Sequence, residues 1–207
     1  MAVMDTPLLK TLRASLARFA RRAALTALVG LALPATPTLA QTVVPEGSEI
    51  RFVSRQMGVP VEGRFTRWQA RLRFDPRQPQ AGQVALDLDT RSLAFGAAET
   101  EAEAARAAWF DSARQPQASF RSSAVRALDG GRFEVAGTLT LKGVARELVV
   151  PVTLAPGPAA GQGVASGSFT IRRLDFRIGD GEWNDPSVVA NEVQVRFRLQ
   201  LTGLTAP

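Results

Sequence analysis

Cysteine, histidine and tyrosine are all missing from the 207 residues. Without cysteine there is no disulfide staple and no thiolate nucleophile, so stability has to come from a hydrophobic core. Without histidine and cysteine, Ser-His-Asp and Cys-His catalysis and His/Cys zinc sites are excluded. Lysine is almost missing too: Lys10 and Lys142 stand alone, and every other basic residue is arginine. Apolar runs long enough to cross a membrane are likewise lacking. The run at residues 23–33 (AALTALVGLAL) is too short for a stable spanning helix, and no later segment qualifies.

That short run has a different reading. Lys10, Arg13, Arg18, Arg21 and Arg22 precede it, Pro34 and Pro37 break it, and Thr38-Leu39-Ala40 offers a small-x-small cleavage site before Gln41. Residues 1–40 are expected to be a secretory signal peptide that is cleaved after Ala40. The Arg21-Arg22 pair raises the twin-arginine route, but Ala23-Ala24-Leu25 fits it poorly and general secretion is the simpler expectation. The leader carries five of the 25 basic residues and only Asp5 of the 19 acidic ones, so residues 41–207 are near neutral at +2. Such a balance gives no electrostatic case for nucleic acid.

What the remainder has is period-two alternation. Val193, Val195, Phe197, Leu199 and Leu201 alternate with Gln194, Arg196, Arg198 and Gln200, which is a strand with one apolar face. Seven further strands are expected ahead of it, at residues 49–57, 61–74, 83–89, 116–125, 132–141, 147–154 and 164–178. In the second the apolar positions change from odd (Val61, Phe65) to even (Trp68, Ala70, Leu72, Phe74), which predicts a β-bulge near Thr66–Arg67. The seventh changes phase in the same way. One helix is expected at 97–108, with Ala98, Ala102, Ala105 and Trp109 on one stripe and Glu99, Glu101 and Glu103 at its positive end. Asp129-Gly130-Gly131 and Lys142-Gly143 read as hairpin turns.

Eight mostly antiparallel strands with one short helix predict an all-β fold, a closed eight-stranded antiparallel barrel over residues 41–207. Closure would remove the sheet edges, and Gly63, Gly137 and Gly167 would let the sheet turn its corners. The interior of such a barrel is filled by side chains or holds one slender ligand.

Several separated blocks, in order, resemble the YceI-like family over roughly residues 47–204. They are FVSRQMGVPVEGRF, LDLDTRSL, AAWFDSARQPQASFRSS, FEVAGTLTLKGVARELVVPVTL and FTIRRLDFRIG. The most specific are Trp109-Phe110-Asp111 with Pro116 and Phe120, and residues 137–144 (GTLTLKGV). The resemblance implies a lipocalin-like barrel that encloses a long isoprenoid tail in the periplasm, often as a homodimer. Two departures stand out. Many members carry an acidic-x-x-x-histidine pattern where this chain has Glu99-Thr100-Glu101-Ala102-Glu103. Its ending, GDGEWNDPSVVANEVQVRF, is similar to a subgroup joined to, or encoded beside, di-haem cytochrome b membrane proteins.

The strand-phased apolar residues are the candidates to line a tunnel: Phe52, Phe65, Trp68, Leu72, Phe74, Leu86, Leu88, Phe120, Phe133, Val135, Leu139, Phe169, Phe176, Val195, Phe197 and Leu199. A dry core would use the same residues, so the lipid, an isoprenoid or a quinone, comes from the resemblance. Trp109, Phe110 and Trp183 are candidates to close the mouth, although Trp109 would serve equally as the helix anchor. Arg172, Arg173 and Arg177 are candidates for a polar or pyrophosphate head group. No catalytic group and no metal ligand is assigned. Asp87 and Asp89 fall on the solvent face of their strand, and Asp180, Glu182 and Asp185 read as a solvated turn rather than a calcium loop. Two functions are carried forward: a non-enzymatic lipid carrier, and an interaction module that works with a membrane cytochrome. A periplasmic hydrolase is a distant third.

Overall fold

The computed structural model describes residues 41–204; the signal peptide expected at 1–40 lies outside them. Ten strands form one sheet: β1 (Thr42–Gln56), β2 (Val59–Phe65), β3 (Trp68–Arg73), β4 (Gln83–Asp89), β5 (Leu93–Ala94), β6 (Gln117–Ala127), β7 (Arg132–Leu141), β8 (Val144–Pro156), β9 (Gly163–Arg172) and β10 (Glu192–Thr202). Every pairing is antiparallel, in the order β3-β4-β6-β7-β8-β9-β10-β1-β2-β5. Among the described residues a single α-helix, α1 (Ala98–Ala104), interrupts the pattern.

The count is ten rather than the expected eight, and the reason is local. The long second strand breaks at Thr66–Arg67, so β2 pairs with β1 while β3 pairs with β4. The phase change that suggested a bulge is this break. The two-residue β5, pairing with Arg64 and Phe65, is the other addition. Because β2 and β3 lie toward opposite ends of the ladder yet are consecutive in the chain, the sheet is curled, and the bend links its two ends.

Three more boundaries differ. The seventh strand stops at Arg172, and its phase change comes from a 3-10 turn over Arg173–Phe176. The helix stops at Ala104, so Trp109 lies in the following turns rather than on a helical stripe. The first strand starts seven residues early, at Thr42, with a bulge between Val44 and Glu49 before the main ladder.

Each interruption of the ladder is patched by a serine. At the β1 bulge the Ser48 hydroxyl accepts from Gln200 N at 2.8 Å. Opposite the β6 bulge, Ser122 Oγ accepts from Val84 N at 2.8 Å. At the bend Ser92 Oγ accepts from Arg67 N at 2.9 Å and donates to Asp89 O at 2.7 Å. A backbone group left unpaired in a buried place costs the full desolvation of that group. Ser92 is 4% exposed. Ser92→Ala should therefore lower the unfolding free energy by roughly 1–3 kcal/mol in chemical denaturation.

The bend is also held from outside. Asp89 accepts from Arg67 Nη2 at 2.9 Å and Nε at 3.1 Å, and from Arg91 N at 2.8 Å. Partial burial pushes its carboxyl upward, but those hydrogen bonds and the charges of Arg67 and Arg91 outweigh it, and the net pKa is lowered. A carboxyl that is more acidic in the fold stabilises it fully above the unfolded pKa of about 3.9. That contribution is lost as pH falls through the lower folded value. The difference in melting temperature between wild type and Asp89→Asn should thus be clear at neutral pH and shrink below about pH 4.

Candidate functional site

Inward-facing residues from nine of the ten strands converge on one internal cavity of about 540 Å³. Antiparallel order fixes its two ends. At the lower end lie the start of β7 and the ends of β3 and β8, and the chain there is apolar. Phe74 packs edge-on against Phe133, with ring centroids 5.1 Å apart and planes at 88°. The 3-10 turn Pro79–Ala81 packs on β6 beside them. At the upper end lie α1, the Lys142–Gly143 turn and the loop from Arg173 to Asn191.

Every apolar candidate except Trp68 and Phe176 lines this cavity. Trp68 directly follows the bend; it touches the core but borders an outer groove with Arg64, Arg67 and Gln69. Phe176 is swung by the 3-10 turn into the core and is 2% exposed, outside the cavity wall. β10 points its odd-numbered residues, Val193 to Leu201, inward, as the alternation requires.

The three arginines do not act as a set. Arg172 is exposed and faces Asp175 at 3.8 Å. Arg177 is exposed, with a left-handed backbone at φ 57°. Neither lines the cavity. Arg173 does, but it is 2% exposed and all five of its N–H donors are engaged by backbone carbonyls. Nε donates to Ala190 O at 3.1 Å. Nη1 donates to Ile178 O at 2.9 Å and Gly179 O at 2.6 Å. Nη2 donates to Trp183 O and Val189 O, each at 2.7 Å. Burial lowers its pKa from the ordinary guanidinium value. A head-group role for Arg172, Arg173 and Arg177 is therefore corrected: two point elsewhere and the third is a staple for the upper loop.

Lys142 is a second staple. Its ammonium donates to Ala108 O at 3.0 Å and to Arg177 O, and lies 3.4 Å from Asp180. Gly179 N also donates to Ala108 O, at 2.8 Å. Asp185 caps its own turn through Ser187 N and Oγ, which lowers its pKa. Of the three loop acids, Asp180 and Asp185 are thus engaged locally, while Glu182 is exposed.

These staples put Trp109 and Trp183 side by side, ring centroids 5.7 Å apart, with the Arg173 guanidinium 6.0 Å from the Trp109 ring. Both rings line the cavity. Ser54, on the inward phase of β1 after Ile50 and Phe52, lines it near the same end, one residue before Arg55, whose carbonyl receives Ala190 N. Glu99, Thr100 and Glu103 of α1 also line it. Glu103 is paired with Arg106 at 3.0 Å. Ser54 and Phe95 were legible as inward by parity or neighbourhood, yet sequence reasoning passed over them because neither stood in a long apolar alternation.

The result is a curled single-sheet protein, almost all β, around one mainly apolar cavity with most of its polar lining groups toward one end. The chain belongs to the YceI-like domain family, which matches residues 41–201. A UPF0312 protein of Pseudomonas syringae pv. syringae is 30% identical over 122 residues, 57% of this chain and 64% of that one. The chain thus spans just under two thirds of that relative. A Vibrio cholerae UPF0312 protein is 31% identical over 136 residues, 63% of this chain and 72% of that one. Among solved structures, Burkholderia cenocepacia BcnA is 38% identical with a TM-score of 0.73, covering 76% of this chain and 98% of its own. A polyisoprenoid binding domain from Saccharophagus degradans shares the fold at 20% identity and a TM-score of 0.62, covering 82% of this chain and 99% of that one.

Proposed function

We infer that the protein is an exported, non-enzymatic carrier that holds the apolar tail of an isoprenoid-type lipid, a polyprenol or a quinone, inside its sheet. The observation that carries this reading is the cavity itself. At about 540 Å³ it falls within the roughly 300–1,000 Å³ of small-molecule sites. Its wall is mainly Val, Leu, Ile and Phe. Each methylene moved there from water contributes about 0.8 kcal/mol, so a tail of many carbons gains most of its affinity without any polar contact. The polyisoprenoid binding of the Saccharophagus domain points the same way. The short apolar run behind a basic stretch supports export to the periplasm.

The test is direct. Protein purified without detergent is extracted with organic solvent and the extract examined by mass spectrometry for a stoichiometric prenyl lipid. An empty protein that also fails to take up added prenol or quinone would overturn the reading. Phe197→Asp, which puts an uncompensated charge on the wall, should abolish uptake in a variant that still folds.

One observation favours a second reading, work at the surface of a membrane component such as a cytochrome. Met57 and Val59 are 79% and 63% exposed at the β1–β2 turn, beside Val188 at 38%. Met57 N donates to Val188 O at 2.8 Å, so the three form one apolar tip at the upper end. Co-purification with a membrane cytochrome that is lost in Met57→Ser would support this reading.

A further inference from the structure

The outer groove bordered by Trp68 lies over a seam in the sheet. β2 pairs with β1 only over residues 51–56, and β3 ends the strand order with β4 as its one ladder partner among the described residues. Residues 42–50 of β1 therefore run past β3 without a ladder pairing. On that side Pro45 has no N–H to offer. Asp89 N donates to Arg67 O at 3.0 Å, so the odd-numbered residues of β3 bond to β4 and the even-numbered ones turn their main chain toward the seam. Phe74, next in that phase, is answered by a side chain. Its N–H donates to Gln41 Oε1 at 2.6 Å, and Gln41 Nε2 donates back to the Phe74 carbonyl. An amide thus already occupies the lower end of this edge, and Leu72, Ala70 and Trp68 continue the edge upward.

At about 1260 Å³ the groove has room for a chain segment rather than a single ion. Its floor holds Ile50, Phe65, Trp68 and Leu88, and its rim holds Arg64, Arg67, Arg71, Arg91 and Arg121. Against these stand Glu49, Asp87 and Asp89, each already engaged by an arginine. Five arginines against three carboxylates give the groove alone the +2 that residues 41–207 carry in all. Arg64 has no side-chain partner among the described residues, and it stands directly opposite Arg51, which in turn faces Arg196. Like charges opposite one another on neighbouring strands destabilise a sheet, and a negative partner would recover that loss. We propose that this groove docks an extended acidic segment of a partner protein, added along the free edge of β3. An added strand alternates its faces, so every second residue lies on the apolar floor and those between meet the arginine forks. The segment that fits alternates acidic with apolar side chains over the six residues of β3.

The probe is a labelled peptide as long as β3 that alternates glutamate with valine, and its control carries glutamine for glutamate. Fluorescence anisotropy should show the glutamate peptide binding and the control failing. Its affinity should fall as salt passes about 0.1 M, where charges are screened over about 10 Å. Arg64→Gln should weaken binding about three- to tenfold. It should not lower the melting temperature, and it should leave lipid uptake intact, because Arg64 lies outside the cavity wall. Hydrogen exchange gives a readout that surface charge alone would not move. With peptide bound, the amides of Trp68, Ala70 and Leu72 should exchange more slowly, and that of Arg71, which faces β4, should not change. Equal binding of the two peptides, unchanged affinity in Arg64→Gln or unprotected amides would overturn the proposal. Protection that rises with protein concentration before any peptide is added would overturn it in favour of a second copy. Phosphatidylglycerol vesicles that bind through Arg64 while the peptide does not would overturn it in favour of an anionic membrane surface.

Discussion

Arg173→Met is expected to lower the unfolding free energy by about 3–5 kcal/mol, a large part of the roughly 5–15 kcal/mol that a domain possesses. Five carbonyls, of Ile178, Gly179, Trp183, Val189 and Ala190, converge on this one guanidinium. None of the described ion pairs of the chain includes Arg173, so carbonyl dipoles, with the Trp109 ring 6.0 Å away, compensate its charge. Methionine matches much of the volume and supplies no donor, which strands carbonyls in a place water does not reach. Arg173→Lys should recover only part of the loss, since an ammonium has three donors and no planar fork. The damage should be uneven. The sheet ladders do not use Arg173, whereas the loop carrying Trp183 hangs on it. The near-ultraviolet dichroism of the Trp109–Trp183 pair should therefore collapse at a lower denaturant concentration than the far-ultraviolet β signal. Coincident transitions of unchanged midpoint would refute the assignment.

That residue also marks the limit of what the sequence made legible. Period two found the inward face of β4, β7 and β10 without error, because each is a plain antiparallel strand with one face in the core. It found the location of the bend from the phase change, yet read a bulge where the ladder breaks completely. A phase change records that one residue is out of step; it does not record whether hydrogen bonding continues through it. Arg173 shows the same limit from the other side. Phe169, Ile171 and Arg173 share a phase, and all three line the cavity. Read strictly, the alternation placed a cation inside. Nothing local announced that the five acceptors come from a loop up to 17 residues ahead in the chain. The indole N–H groups of Trp109 and Trp183, buried with no hydrogen-bond partner among the described residues, were equally out of reach. Sequence names a tryptophan; only packing shows whether its N–H has found an oxygen.

The strand glycines yield the other large effect. Three of them are each covered by a phenylalanine of an adjacent strand: Gly63 by Phe52, Gly137 by Phe120 and Gly167 by Phe197. Aromatic rings over strand glycines shield a bare backbone and let the sheet bend sharply. Adding a methyl has different consequences at different sites. At Gly63 the three atoms nearest a Cβ are all ring atoms, among them Phe52 Cζ at 2.3 Å and Phe95 Cε1 at 2.9 Å, and a ring can turn aside. At Gly167 it would meet the Pro151 carbonyl oxygen at 2.2 Å as well as Phe197 Cζ at 2.5 Å. A main-chain oxygen of β8 can move only if its ladder moves. Gly167→Ala should therefore cost about 3 kcal/mol, the upper part of the overpacking range, and Gly63→Ala about 1–2 kcal/mol. Second substitutions separate the two causes. Phe52→Leu in the Gly63→Ala background should restore part of the loss, because it removes the atoms in conflict. Phe197→Leu in the Gly167→Ala background should restore little, because the Pro151 oxygen remains. Denaturant midpoints of the four variants measure this, and equal rescue at both sites would show that the rings alone set the limit. The same series reaches function. Both rings stand in the cavity wall, so a ring that turns aside at Gly63 takes volume from the cavity. Gly63→Ala should then weaken tail uptake more than its modest effect on stability suggests, and Phe52→Leu should return it.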